Sequence, residues 1–213
     1  MDGLDGCQHD VTRPPAQAVR EAVRGVDAVV HLGGISLEDT FEAVLQANIQ
    51  GTYHLYEAVR REGVRRVVFA GSNHAVGYVP LTAGAPIGSA VPARPDTYYG
   101  LSKAFGENPA SLYADKYGVE TGLSPADCAR LAHAALTAPG VGHTVVNGIS
   151  ANTRAWWDLT SARALGYAPQ GDAEAYAEAV LAEHGPLDPA HPDARWVGGS
   201  STPADPHRPT PGG

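Results

Sequence analysis

Tyr99 and Lys103, in the run YGLSK, stand four positions apart, a spacing that puts a phenol and an ammonium on one face of a helix about one turn apart. An ammonium beside a phenol favours the phenolate, which makes Tyr99 a candidate general base and Lys103 its electrostatic partner. A Tyr and a Lys at this spacing are common on solvated helix surfaces, so the pair gains its weight from its company. Ser72 closes an apolar run upstream of Tyr99, and Asn48, in NIQGT, falls on the inward face of the helix before that run. The loops HLGGIS (31–36) and FAGSNHA (69–75) follow the two clearest apolar runs, where ligands bind in open parallel sheets.

The elements that must position these residues follow from periodicity. Residues 26–32 and 65–70 are short β-branched runs and predict buried strands. Between them, 38–62 carries Phe41, Val44, Leu45, Ile49, Tyr53 and Tyr56 at spacings of three and four, which predicts one helix with these six on its buried face and Gly63 as its stop. Strand, helix, strand is a βαβ unit, so the predicted class is α/β with a doubly wound parallel sheet. Further helices are predicted over 15–24, 96–117, 124–137, 153–165 and 172–184, and a strand over 140–149. Ser124 and Pro125 supply the start signals of the helix over 124–137, with Cys128, Leu131 and Ala135 as its apolar positions. Pro109 is expected to kink or break the helix over 96–117 at about 3 kcal/mol. The expected organisation is a folded region over 1–185 and a Pro/Gly-rich disordered tail over 186–213.

Composition narrows the classes of function. Fifteen Lys and Arg against 23 Asp and Glu leave a net charge of -8, which opposes attraction to nucleic acid or anionic membranes. No apolar run approaches the length of about 20 residues needed to span a bilayer, and the first residues lack a signal-peptide pattern, so a cytoplasmic location is expected. The nine histidines show no ligand spacing with Cys or carboxylates, and no metal site is expected.

Asn48, Ser72, Tyr99 and Lys103, in this chain order on alternating α and β elements, resemble the extended short-chain dehydrogenase/reductase family, also called the NAD-dependent epimerase/dehydratases. Within it, HLGGIS, NIQGTYHLYEA, RRVVFAGSNHAVG, RPDTYYGLSKAFGE and ANTRAWWDLTSARALGY are similar to the uronate dehydrogenases. The resemblance implies a Rossmann-like fold, NAD as cofactor, and oxidation of D-galacturonate or D-glucuronate at C1 to the aldarolactone. It assigns catalysis to Tyr99, Lys103, Ser72 and Asn48. Substrate contacts are implied for Ser36, Ser72, Asn73, His74 and Tyr99, and cofactor contacts for Asp10, Leu32, Gly33, Gly34, Tyr99 and Lys103. Asp10 is matched equally by a helix cap, whereas for His74 a packing role is the lesser alternative. A homo-oligomer is a further expectation of the family.

The pattern departs from the family in two places. The Gly-rich strand-turn-helix that receives a pyrophosphate is not recognisable, so the expected fold lacks its first βαβ unit, a piece of at least about 30 residues. Near YGVETGLSPAD, Thr121 and Gly122 join two segments between which the family runs a further strand and a loop with an Arg for the uronate carboxylate. Arg94 and Arg154 are the candidate substitutes. Two other readings stay open: a non-catalytic remnant of the family, and a sugar-nucleotide epimerase or dehydratase.

Overall fold

The computed structural model describes residues 16–82, 85–123 and 128–202. Four short strands, β1 (Val29–His31), β2 (Arg66–Phe69), β3 (Glu120–Leu123) and β4 (His143–Val145), form a parallel sheet in the order β1-β2-β3-β4. Val67, Val68 and Phe69 are all buried, as a strand covered on both faces requires. Helices α1 (Ala16–Ala22), α2 (Phe41–Val44), α3 (Gly51–Glu62), α4 (Tyr98–Tyr117) and α5 (Cys128–Thr137) pack around it. Val67 joins a core with Leu55, Tyr56 and Val59 of α3 and Ala110 and Tyr113 of α4. Side chains alternate along a strand, so Arg66 faces the other layer, where its guanidinium bonds the Leu136 carbonyl near the end of α5 and the Glu120 carboxylate on β3. Helices therefore cover both faces, as the sequence predicts.

Several expectations need correction. The single helix over 38–62 begins at Phe41 and is interrupted by a π-turn, Leu45–Gln50, between α2 and α3. Its inward stripe is Val44, Ala47, Asn48, Gly51, Thr52, Leu55, Tyr56, Ala58 and Val59, while Phe41 and Tyr53 are exposed. Small residues face inward here because α4 packs against the π-turn. Gly63 ends α3 as predicted, in the left-handed region at φ 74°.

Pro109 does not break α4, which runs unbroken for 20 residues. The Asn108 amide donates to the Ala104 carbonyl at 3.0 Å, and Ala110, the residue after the proline, is fully buried in the core. Tertiary packing holds the helix where propensity alone disfavours it.

Thr121 and Gly122, read from sequence as a direct join, lie within β3, which pairs on both sides. The strand expected over 140–149 is only His143–Val145, because Gly140 and Gly142 take positive φ before it and Asn147 beyond it ties the chain to the carbonyls of Ile87 (2.9 Å) and Asp158 (3.1 Å). The helix expected over 153–165 shrinks to α6 (Thr160–Ala164), begun by Asp158 accepting from Thr160 N at 2.8 Å. That over 172–184 is a 3-10 turn, Ala173–Tyr176, followed by α7 (Ala177–His184).

The expected tail is ordered at least to Thr202. It forms α8 (Pro192–Arg195) and a 3-10 turn, Gly199–Ser201, and buries Val197 and Thr202. Trp196 pairs with Pro80, and Val197 N and Gly198 N donate to the carbonyls of Val79 (3.1 Å) and Gly77 (2.9 Å). Backbone pairing and two anchors offset the ordering cost that composition alone suggests is too high. Among the described residues no helix is long and apolar enough to cross a membrane.

Candidate active site

Tyr99 sits in the first turn of α4, and that turn is fastened from outside the helix. Thr97 caps it, accepting from Gly100 N at 2.8 Å through its hydroxyl and from Leu101 N at 2.9 Å through its carbonyl. The two Glu38 oxygens accept from Tyr98 N and Tyr99 N, both at 2.9 Å. The N–H groups of Tyr98, Tyr99 and Gly100, which have no acceptor within the helix, are thereby satisfied, with a carboxylate at the positive end of the dipole.

Lys103 lies one turn further along α4 and is buried. Its ammonium donates to the carbonyl of Ala70, just past β2, at 2.8 Å, and stands 5.0 Å from the Phe69 ring centroid and 5.6 Å from that of Tyr99. Burial lowers its pKa to about 8. Gly106 makes the close approach of α4 to β2 possible, since a Cβ there would run into the Phe69 ring.

Asn48 is buried in the π-turn, and its amide spans two elements. Its Oδ1 accepts from Ile35 N at 2.7 Å, while its Nδ2 donates to Ile35 O at 3.0 Å and to Ser102 Oγ at 2.9 Å. Ser102 in turn donates to the Tyr99 carbonyl at 2.7 Å. Both amide hydrogens are thus committed to the loop after β1 and to α4, which ties these two elements together. Gly34, at φ 124°, leaves room for it: a Cβ there would be 2.6 Å from Asn48 Oδ1.

Ser72 follows β2 and caps the 3-10 turn Asn73–Val76, accepting from His74 N at 3.2 Å. Asn73 Nδ2 donates to the Val197 carbonyl at 3.1 Å, and the His74 ring lies edge-on to Tyr99 with centroids 5.9 Å apart. A pocket beside Ser72 and Asn73 is lined also by Ser89, Glu107, Asn147 and Trp157. Glu107, one turn beyond Lys103, has its pKa raised by burial.

Of the residues singled out from sequence, Ser72, Asn73, His74, Tyr99, Lys103 and Asn48 come together at the carboxyl ends of β1 and β2. Leu32, Gly33, Gly34 and Ser36 form the exposed loop after β1 that Asn48 pins. Asp10, Ser124 and Pro125 lie outside the described residues. Arg154 pairs with Glu174 at 2.5 Å, and Arg94 is exposed with its backbone bonded to Ala75 and Tyr78.

The model of the NAD dependent epimerase/dehydratase family matches residues 2–147. The chain belongs to that family. Among its relatives, the uronate dehydrogenase of Pseudomonas syringae pv. tomato is 45% identical over 191 residues, covering 80% of this chain and 69% of that protein. The uronate dehydrogenase of Agrobacterium fabrum is 44% identical over 205 residues, covering 87% and 77%. A crystal structure of the Agrobacterium tumefaciens uronate dehydrogenase, a tyrosine-to-alanine mutant complexed with NAD, superposes with a TM-score of 0.86 at 40% identity, covering 95% of this chain and 82% of that one.

Sequence reasoning missed several polar residues in and around this arrangement. Glu38 lies 60 positions from Tyr98, and nothing local announces that it caps α4. Ser102, a small polar residue buried inside a helix, was readable as an inward hydroxyl. Asp96 reads as part of a helix start, yet its carboxylate meets His74 at 3.0 Å. His31, at the end of β1, is buried against Phe69 with its Nε2 3.4 Å from the Thr52 hydroxyl.

Proposed function

We propose that this chain is an NAD-dependent oxidoreductase that oxidises a hexuronate, D-galacturonate or D-glucuronate, at C1 to the aldarolactone. The observation that carries the reading is the convergence of Tyr99 and Lys103, on a helix start anchored by Glu38 and Thr97, with Ser72 and His74 of the loop after β2. The residues fit the nicotinamide half of the cofactor: the Gly33–Gly34 backbone is open, and Lys103 spends one of its three N–H donors on Ala70, leaving two for ribose hydroxyls. Bound NAD supplies the acceptor for the hydrogen and electron pair that leave C1.

The chain's own residues do the rest. Tyr99 Oη takes the proton of the C1 hydroxyl as the C1–H bond breaks and the carbonyl forms. Ser72 Oγ hydrogen-bonds the same oxygen, and Asn73 and His74 grip other sugar oxygens. Asn48 and Glu38 hold the two sides of the site in register without touching the reacting atoms. Of the two candidate partners for the uronate carboxylate, Arg154 is engaged by Glu174, while the Arg94 side chain is exposed.

The test is NADH formation by the purified chain with NAD and each uronate, beside a UDP-sugar control. Absorbance rising with the uronates supports the proposal. Conversion of the UDP-sugar with no net NADH would favour an epimerase, and no binding of NAD at millimolar concentration would favour a non-catalytic remnant.

A further inference from the structure

Behind His74 lies a carboxylate sealed from water. The Asp96 side chain has no exposed surface, and its two oxygens stand 3.0 Å from His74 Nδ1. Thr97 Oγ1 adds a bond of 3.3 Å to Oδ1. Two glycines from distant parts of the chain close over it: a Cβ on Gly77 or on Gly198 would run into the Asp96 carboxyl. The Gly198 N–H is itself bonded to the Gly77 carbonyl at 2.9 Å, so the segment after α8 is the wall that completes this chamber. Gly100 allows the helix start to reach the His74 backbone, against whose carbonyl a Cβ would collide.

A buried carboxylate is costly unless paired, and the ring it meets is that of His74. An acceptor at Nδ1 places the imidazole proton on that nitrogen and leaves Nε2 to face a ligand. The His74 side chain is one-quarter exposed and lies edge-on to Tyr99. We propose that Asp96 is a positioning residue for substrate recognition: it holds His74 by Nδ1, so that Nε2 is presented in one tautomer to a sugar hydroxyl beside Tyr99. The proposal rests on the oxidoreductase reading above and adds to it a residue that never touches the sugar. The same logic operates where a buried Asp orients a catalytic His in hydrolytic triads. Here it serves binding.

Asp96→Asn keeps the side-chain volume and tests the assignment. The expected result is a KM for galacturonate raised about 10-fold or more, the size of one well-made hydrogen bond misdirected, with the KM for NAD changed less than about 2-fold. In a His74→Ala background the same substitution should add less than about 2-fold, because the group it positions is gone. An equal loss in both backgrounds, or an unchanged KM for galacturonate in Asp96→Asn, overturns the proposal. Nitrogen-15 NMR of the wild-type His74 ring needs no variant and no turnover: a proton on Nδ1 is required, and a neutral ring protonated at Nε2 instead overturns the proposal. If the wild type makes no NADH from any uronate, the oxidoreductase reading falls, and the ring spectrum still decides whether Asp96 holds His74 as assigned.

Discussion

Acidification should destabilise this protein through the buried ring of His31. The ring is buried beside Phe69, and its pKa is lowered to about 4, chiefly by burial and secondly by the Lys103 ammonium. In the unfolded chain the same ring takes up its proton near the ordinary value of 6.5. Between those values the unfolded state binds the extra proton, so stability is fully present above 6.5 and is lost as pH falls toward about 4. At about 1.4 kcal/mol per pH unit the interval amounts to roughly 3 kcal/mol, a large part of a typical domain's stability. Urea unfolding followed at several pH values between 7 and 4, in wild type and in His31→Gln, measures it. The wild type should lose roughly 3 kcal/mol more than the variant over that range. Replacing Lys103 with Met should raise the His31 pKa only partway toward 6.5, because burial remains. Equal pH dependence in wild type and His31→Gln, or a His31 ring that titrates near 6.5 in the folded protein, would refute the reasoning.

Other substitutions probe the supports of the site. Gly106→Ala drives a Cβ into the Phe69 ring and should cost about 1 to 3 kcal/mol in urea unfolding, as overpacked cores do. Glu38→Ala removes the acceptors of two N–H groups at the start of α4; a loss of about 1 kcal/mol in stability, with a lowered kcat from a loosened Tyr99, is expected from thermal melts and steady-state kinetics. Glu107 has a pKa raised by burial, so its ionisation opposes folding and stability falls as pH rises through that value. Glu107→Gln should therefore melt above wild type at pH 8 and show a smaller advantage at pH 4.

The legible parts of the fold were those written in local pattern. β1, β2 and the Gly63 stop follow from β-branched runs and a C-terminal glycine, and the Tyr99/Lys103 pair from helical spacing. What escaped was set by contacts distant in sequence. Phe41 and Tyr53 look like core residues by type and spacing, but a π-turn and close packing against α4 turn small residues inward instead. Pro109 reads as a breaker because local propensity cannot register Ala110 and Tyr113 buried on α3 and β2. The segment from Pro192 to Thr202 has the composition of a tail, yet Val197 and Gly198 find partners more than 100 positions upstream, at Val79 and Gly77. The site shows the same division: its reacting groups carry a motif, whereas Glu38, Asp96 and Ser102, which hold them, carry none.

The central claim is that Tyr99 moves the proton during oxidation of a sugar acid by NAD. Single-turnover formation of NADH from galacturonate, in wild type and Tyr99→Phe at saturating NAD, tests it most directly. A fast exponential rise in the wild type is expected, with a rate in Tyr99→Phe lower by about 10²-fold or more and NAD still bound. Turnover of Tyr99→Phe at the wild-type rate would contradict it.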